Sequence, residues 1–146
     1  MLFTKAEGRD VMDLETAETV GTVASCTVAP SPARITALRL RRRGRGHRTL
    51  HWPDVRSFGP DAVAVEEAVL IREEKGVEPE ADAHPAHDPL GKVVLTETGA
   101  ARGTVVDLEF DEESGRVVEL LTEEERIPGE ELLGVGGYAV VVAGGR

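Results

Sequence analysis

The stretch RGTVVDLEFDEESGRVVELLT, Arg102 to Thr122, decides the fold. From Thr104 to Phe110 its residues alternate. Val106, Leu108 and Phe110 fall on one side, and Val105, Asp107 and Glu109 on the other. That two-residue period marks a half-buried strand. DEESG follows, a run of turn formers that ends in a glycine able to take positive φ. RVVELL then returns as a partner strand, so a tight antiparallel hairpin is predicted.

Working outward, VGTVASCTVAPSPARITALRL, Val20 to Leu40, has nearly the same shape. With Gly21 laid on Gly103, Ala24, Cys26 and Val28 fall on Val106, Leu108 and Phe110. Arg34, Ile35 and Leu38 fall on Arg116, Val117 and Leu120. Further on, WPDVRSFGPDAVAV matches IPGEELLGVGGYAVVV, with Pro53 on Pro128 and Gly59 on Gly134, which gives the first copy seven extra residues. Gly8 stands before the first copy as Gly91 does before the second, one residue out of register. Three segments matching in the same order predict an internal duplication. A unit of about 60 residues buries too little surface to be comfortably stable alone. Two such units covering each other's open edges form a pseudo-twofold pair.

In the second copy Pro128 suits the first turn of a short helix, with Glu130 and Glu131 near its N-terminal end. Gly134, Gly136 and Gly137 end that turn, and Tyr138 to Ala143 reads as the last strand. Between the copies lies REEKGVEPEADAHPAHDP, charged, proline-containing and without apolar periodicity. It reads as an exposed linker. The division is a first repeat over 1–71, a linker over 72–89 and a second repeat over 90–146.

The chain has 146 residues, enough for one domain or two very small ones. Aromatic residues are 3% of it, so Val, Leu, Ile and Ala must build most of the core. The net charge of −10 argues against a general nucleic-acid or anionic-membrane binder. A single cysteine, Cys26, excludes an internal disulfide and a cysteine-based zinc site. The N-terminus lacks the apolar run of a signal peptide, and no segment approaches a membrane span. A cytoplasmic protein is expected.

The segments GRDVMDLETAETVGTVASCTV and LGKVVLTETGAARGTVVDLEFDEESGRVVEL each show a short strand, a turn, a Gly-Thr-Val strand, a turn and a return strand. With WPDVRSFGPDAVAV and IPGEELLGVGGYAVVV behind them, they resemble the PRC-barrel family. That small β-barrel domain occurs in the photosynthetic reaction-centre H subunit and in the ribosome maturation factor RimM. The resemblance covers nearly the whole chain apart from the linker and an arginine-rich insertion. It implies an all-β fold of two tandem PRC-type barrels, each with a short helix or helical turn before its last strand. It also implies protein docking or regulation, without a shared active site. The H subunit's membrane helix and RimM's N-terminal domain have no counterpart in the sequence, so neither function carries over by itself.

The sharpest local feature is RLRRRGRGHRTLHW, Arg39 to Trp52. Arg39, Arg41, Arg42, Arg43, Arg45 and Arg48 stand there with no acid among them. The rest of the chain is strongly acidic, and Asp107 to Glu131 holds eleven acids against Arg116 and Arg126. The insertion reads as an added strand and loop. Arg41, Arg42, Arg43, Arg45, Arg48 and Trp52 are the candidate partner-binding residues. The favoured reading is contact with a protein, either a separate partner or an acidic face of this chain within a monomer or a homodimer. A solvated loop that protects a strand edge is the bland alternative. Phosphate contact with RNA, DNA or anionic lipid, with Trp52 and His47 stacking on bases, carries least weight against the negative total charge.

No catalytic set is evident. Cys26 overlays Leu108 and reads as a core thiol. GVGG, Gly134 to Gly137, lacks the lysine and long helix of a phosphate loop. His84 and His87 in HPAHD sit among prolines, and no metal or cofactor is expected. The chain reads as a non-enzymatic adaptor. The alternative is a ribosome- or RNA-associated factor that uses the arginine loop.

Overall fold

The computed structural model describes residues 1–42, 45–73 and 83–144. The first unit contains α1 (Phe3–Ala6), β1 (Asp10–Asp13), β2 (Glu18–Ala29), β3 (Arg34–Arg42), β4 (Arg45–His51), a 3₁₀ turn (Trp52–Asp54), β5 (Val55–Phe58) and β6 (Ala62–Val65). A second 3₁₀ turn (Ala68–Leu70) and the two-residue β7 (Arg72–Glu73) follow. The second unit contains a 3₁₀ turn (Pro85–His87), β8 (Val93–Thr96), β9 (Ala101–Phe110), β10 (Val117–Thr122), β11 (Arg126–Pro128), a 3₁₀ turn (Gly129–Glu131), β12 (Leu132–Val135) and β13 (Ala139–Val142).

The sheets run β5-β6-β1-β2-β3-β4-β7 and β12-β13-β8-β9-β10-β11. Apart from β7, the order is the same strand for strand, including the parallel pairs β1–β6 and β8–β13. The edge strands β11 and β12 are consecutive in the chain and joined only by Gly129–Glu131. A six-stranded sheet whose two edges are tied by three residues must curl into a barrel. Trp52–Asp54 does the same between β4 and β5.

The duplication extends to register. Cys26 faces Leu38 as Leu108 faces Leu120, and Val28 faces Ile35 as Phe110 faces Val117. Both copies shift register around Ala24 and Val106, and again around Thr36 and Val118. These shared bulges correct one expectation. Val106 does not join Leu108 and Phe110 inside, because the bulge turns it outward, 52% exposed, and Val105 and Asp107 are buried instead.

The units meet on a pseudo-twofold axis at a bridge between Arg34 and Arg116. Ile35 N–H donates to Gly115 O at 2.8 Å, and Val117 N–H donates to Ala33 O at 2.9 Å. Each bond is the other's image under the duplication. The N-terminal segments are exchanged across the same boundary. α1 packs on β9, and the Pro85–His87 turn packs on β2. Met1 and Phe110 exchange backbone bonds at 2.8 Å, and Thr4 donates to the buried carboxylate of Asp107 from its N–H at 3.1 Å and its hydroxyl at 2.5 Å.

Two segments differ from expectation. Part of the stretch read as linker, 74–82, lies outside the described residues. Arg72–Glu73 instead pair with β4, and residues 83–89 carry a 3₁₀ turn with Ala83 and Pro89 buried. Pro85 begins this turn, which packs against β2. In the closing segments, Gly59 N–H donates to Ala62 O as Gly136 N–H donates to Ala139 O. Gly59 therefore corresponds to Gly136, not Gly134, and Trp52 to Gly129. The short helix is a single 3₁₀ turn, and a further strand, β12, precedes the last one.

Candidate functional site

The arginine-rich insertion is a continuation of the β3–β4 hairpin. β3 and β4 have nine and seven residues, against six and three in β10 and β11. Leu38 and Leu40 on β3 and Leu50 on β4 are fully buried and anchor its base. Leu40 pairs with Arg48, Arg39 with Thr49 and Arg41 with His47. Opposed residues share a face, so strand alternation puts Arg39 and Arg41 on one side and Arg48 with Leu40 on the other.

The six predicted contact residues are thus not one patch. Arg41 is exposed and Arg42 and Arg48 are half-buried. Arg45 begins β4, and Arg43 lies outside the described residues. Trp52 is elsewhere. Its indole packs on Gly115 of the second unit, where a Cβ would fall 2.6 Å from the ring. It stacks on Phe58 at 6.0 Å between centroids and meets Phe110 edge-on at 6.2 Å. Phe110 also touches Phe58 at 5.3 Å and Phe3 at 6.2 Å. Four of the chain's five aromatic side chains therefore form one cluster between the units. The sequence signal for this was Gly115, read only as a turn glycine.

The acidic face of the second unit is partly neutralised by its own arginines. Arg102 donates to Glu125 at 2.6 Å and to Glu131 at 3.2 Å, and Arg126 to Glu119 at 2.6 Å. The Arg102 hydrogen bond holds the Glu125 carboxyl below its ordinary range. Arg102 is half-buried between its two partners, whereas Arg126 is exposed and its pair contributes little stability.

On the opposite side of the boundary, His87 Nδ1 lies 2.7 Å from Val135 O, and Ala86 N–H donates to His84 Nδ1 at 3.0 Å. Lys92 Nζ donates to Ala86 O at 2.6 Å. Burial raises the Asp88 carboxyl and lowers the Lys92 amine, and each opposes the other's shift. Among the described residues no group of three or more His, Cys, Asp or Glu side chains is placed to hold a metal ion.

Cys26 is fully buried in β2, and burial pushes its thiol well above the ordinary value of 9.0, with Asp88 adding to the effect. The unfolded thiol then ionises first as pH rises. Stability that is complete below that value falls as pH climbs through it, because the folded chain keeps a proton the unfolded chain loses. The measurement is the urea midpoint at about pH 8 and about pH 10 for the native chain and Cys26→Ala. The decline is expected to be steeper in the native chain, a comparison that cancels the opposite contribution of Lys92. Equal slopes would refute it.

Residues 81–146 match the PRC-barrel domain model. The second unit is a PRC-barrel domain. The first unit repeats that barrel's strand order and register. No curated protein matches the chain. Among the described residues no helix is long and apolar enough to cross a membrane.

Proposed function

We propose that this tandem PRC-barrel protein is a non-enzymatic docking module of the cytoplasm that binds a protein partner through the arginine hairpin and the neighbouring sheet edges. One observation carries this reading. The two barrels correspond strand for strand, and the principal addition in the first is the extension of β3 and β4 that holds the arginines. The barrel does not need that extension, since the second unit closes without it. A hairpin presenting Arg41 suits an acidic protein surface, where charge complementarity sets on-rate and specificity.

The test is the triple substitution Arg41→Glu, Arg43→Glu and Arg45→Glu in the full chain. Partner capture from a nuclease-treated lysate is expected to fall at least about tenfold, which corresponds to about 1.4 kcal/mol. The thermal midpoint should stay within about 2 °C, as for ordinary surface changes. Undiminished capture would remove the hairpin from the docking surface. Capture that disappears on nuclease treatment, with a steep inverse dependence on salt, would replace the protein partner with RNA.

A further inference from the structure

The pseudo-twofold axis makes the two halves of the inter-unit boundary directly comparable. On one side Phe3, Trp52, Phe58 and Phe110 fill the space between the barrels. The duplication places Ala86, Gly129, Val135 and Val28 at the corresponding positions. Every aromatic ring is replaced by a small residue, and the vacated space remains open. A groove of about 390 Å³ runs between Val28, Pro30 and Thr36 of the first unit and His87, Gly134 and Val135 of the second. A smaller one of about 190 Å³ lies where Gly129 and Ala33 correspond to Trp52 and Gly115. An apolar cavity of about 150 Å³ is enough to bind benzene.

The fifth aromatic side chain is Tyr138. It stands on the turn between β12 and β13, three residues after Val135 in the groove wall, and is 78% exposed. Leu133, on the same strand as Val135, is also exposed. An open groove of aromatic size and a solvent-exposed aromatic ring are thus carried by one strand and the turn that follows it. In an isologous dimer a residue beside the twofold axis reaches the same region of the other copy.

We infer that the chain self-associates through this face, with Tyr138 of each copy seated in the Val28–Val135 groove of the other. The groove continues an interface the fold already builds, and the incoming ring takes the place that aromatic rings hold in its pseudo-symmetric half. Each copy carries a net charge of −10, so long-range repulsion opposes the contact. Added salt should therefore tighten it by screening, the reverse of the response expected for an arginine-mediated contact.

Sedimentation of the full chain over a range of concentrations tests this. The native chain is expected to show a monomer–dimer equilibrium that strengthens with salt. Tyr138→Ala should weaken dimerisation at least about tenfold. Gly134→Leu should do the same by filling the groove from within. Gly134 lines the groove, and a Cβ there meets nothing within 4 Å, so the larger side chain starts in open space. A thermal melt confirms that both variants fold. A native chain that stays monomeric at millimolar concentration overturns the inference, as does a dimer indifferent to both substitutions. Free indole is the second probe. A monomer whose Val28 and Val135 methyl resonances shift with indole shows a groove made for a foreign ring, which also overturns self-association. The arginine-to-glutamate chain should dimerise like the native one, so this idea and the docking proposal can fail separately.

Discussion

Phe110→Ala should cost the chain about 3–5 kcal/mol, the range for removing a fully buried phenyl ring. Phe110 belongs to β9 of the second unit, but its three ring neighbours, Phe3, Trp52 and Phe58, all belong to the first. Its removal opens a cavity at the seam instead of inside one barrel. Neither unit is large enough to hold a substantial core of its own, so the loss should appear as one earlier transition of the whole chain. The thermal midpoint should drop by roughly 10 °C or more. Val28→Ala removes less at the corresponding position beside an already open groove, and should cost clearly less. Urea denaturation followed by both far-ultraviolet circular dichroism and Trp52 fluorescence reads the result. Separate midpoints for the two signals would show that the aromatic seam does not couple the units.

Gly129→Ala should be nearly as damaging, at about 3 kcal/mol or more, for a different reason. Its φ is not in the left-handed region, so conformational strain is not the cause. A Cβ there would lie 2.1 Å from Val117 O and 3.2 Å from Val118 O. Those are backbone atoms of β10, which cannot swing aside as a side-chain tip would. Val117 also donates the bond to Ala33 O on the pseudo-twofold axis, so moving it disturbs the seam as well as the barrel. Gly134→Ala is the control, since open space at that position predicts a change within about 0.5 kcal/mol. Equal stabilities for the two variants would show that β10 yields to the added methyl group.

The hairpins were legible because their signal is local. Alternation in Thr104–Phe110, the DEESG turn and the returning RVVELL depend only on neighbours in the chain, and β9 and β10 appear where that pattern puts them. Asp111 completes the turn by accepting from the N–H groups of Glu113 and Ser114. The bulge at Val106 was not legible. A strand of unbroken alternation and a strand with one extra residue look alike until the partner's register is known. The offset between the closing segments is hidden for a related reason. Pro53 and Pro128 invite alignment by residue type, but Pro53 sits within its 3₁₀ turn and Pro128 caps the other.

The candidate site divides in the same way. The density of arginine from Arg39 to Arg48 is a property of composition, and of these residues Arg41 is exposed while Arg42 and Arg48 are half-buried. The placement of Trp52 is a property of the assembled pair. A tryptophan next to an arginine cluster suggests a contact residue, whereas Gly115 of the other unit gives its indole a place in the interior.

By itself, then, the sequence determined that this is an all-β chain of two copies of one small barrel, since period, turn chemistry and repetition are all written along the chain. Only the tertiary structure decided how the copies use each other. The exchange of N-terminal segments, the reciprocal bonds through Ala33, Ile35, Gly115 and Val117, and the contrast between a filled and an open half of the seam depend on residues far apart in sequence. Packing complementarity between distant surfaces leaves no periodic trace along the chain.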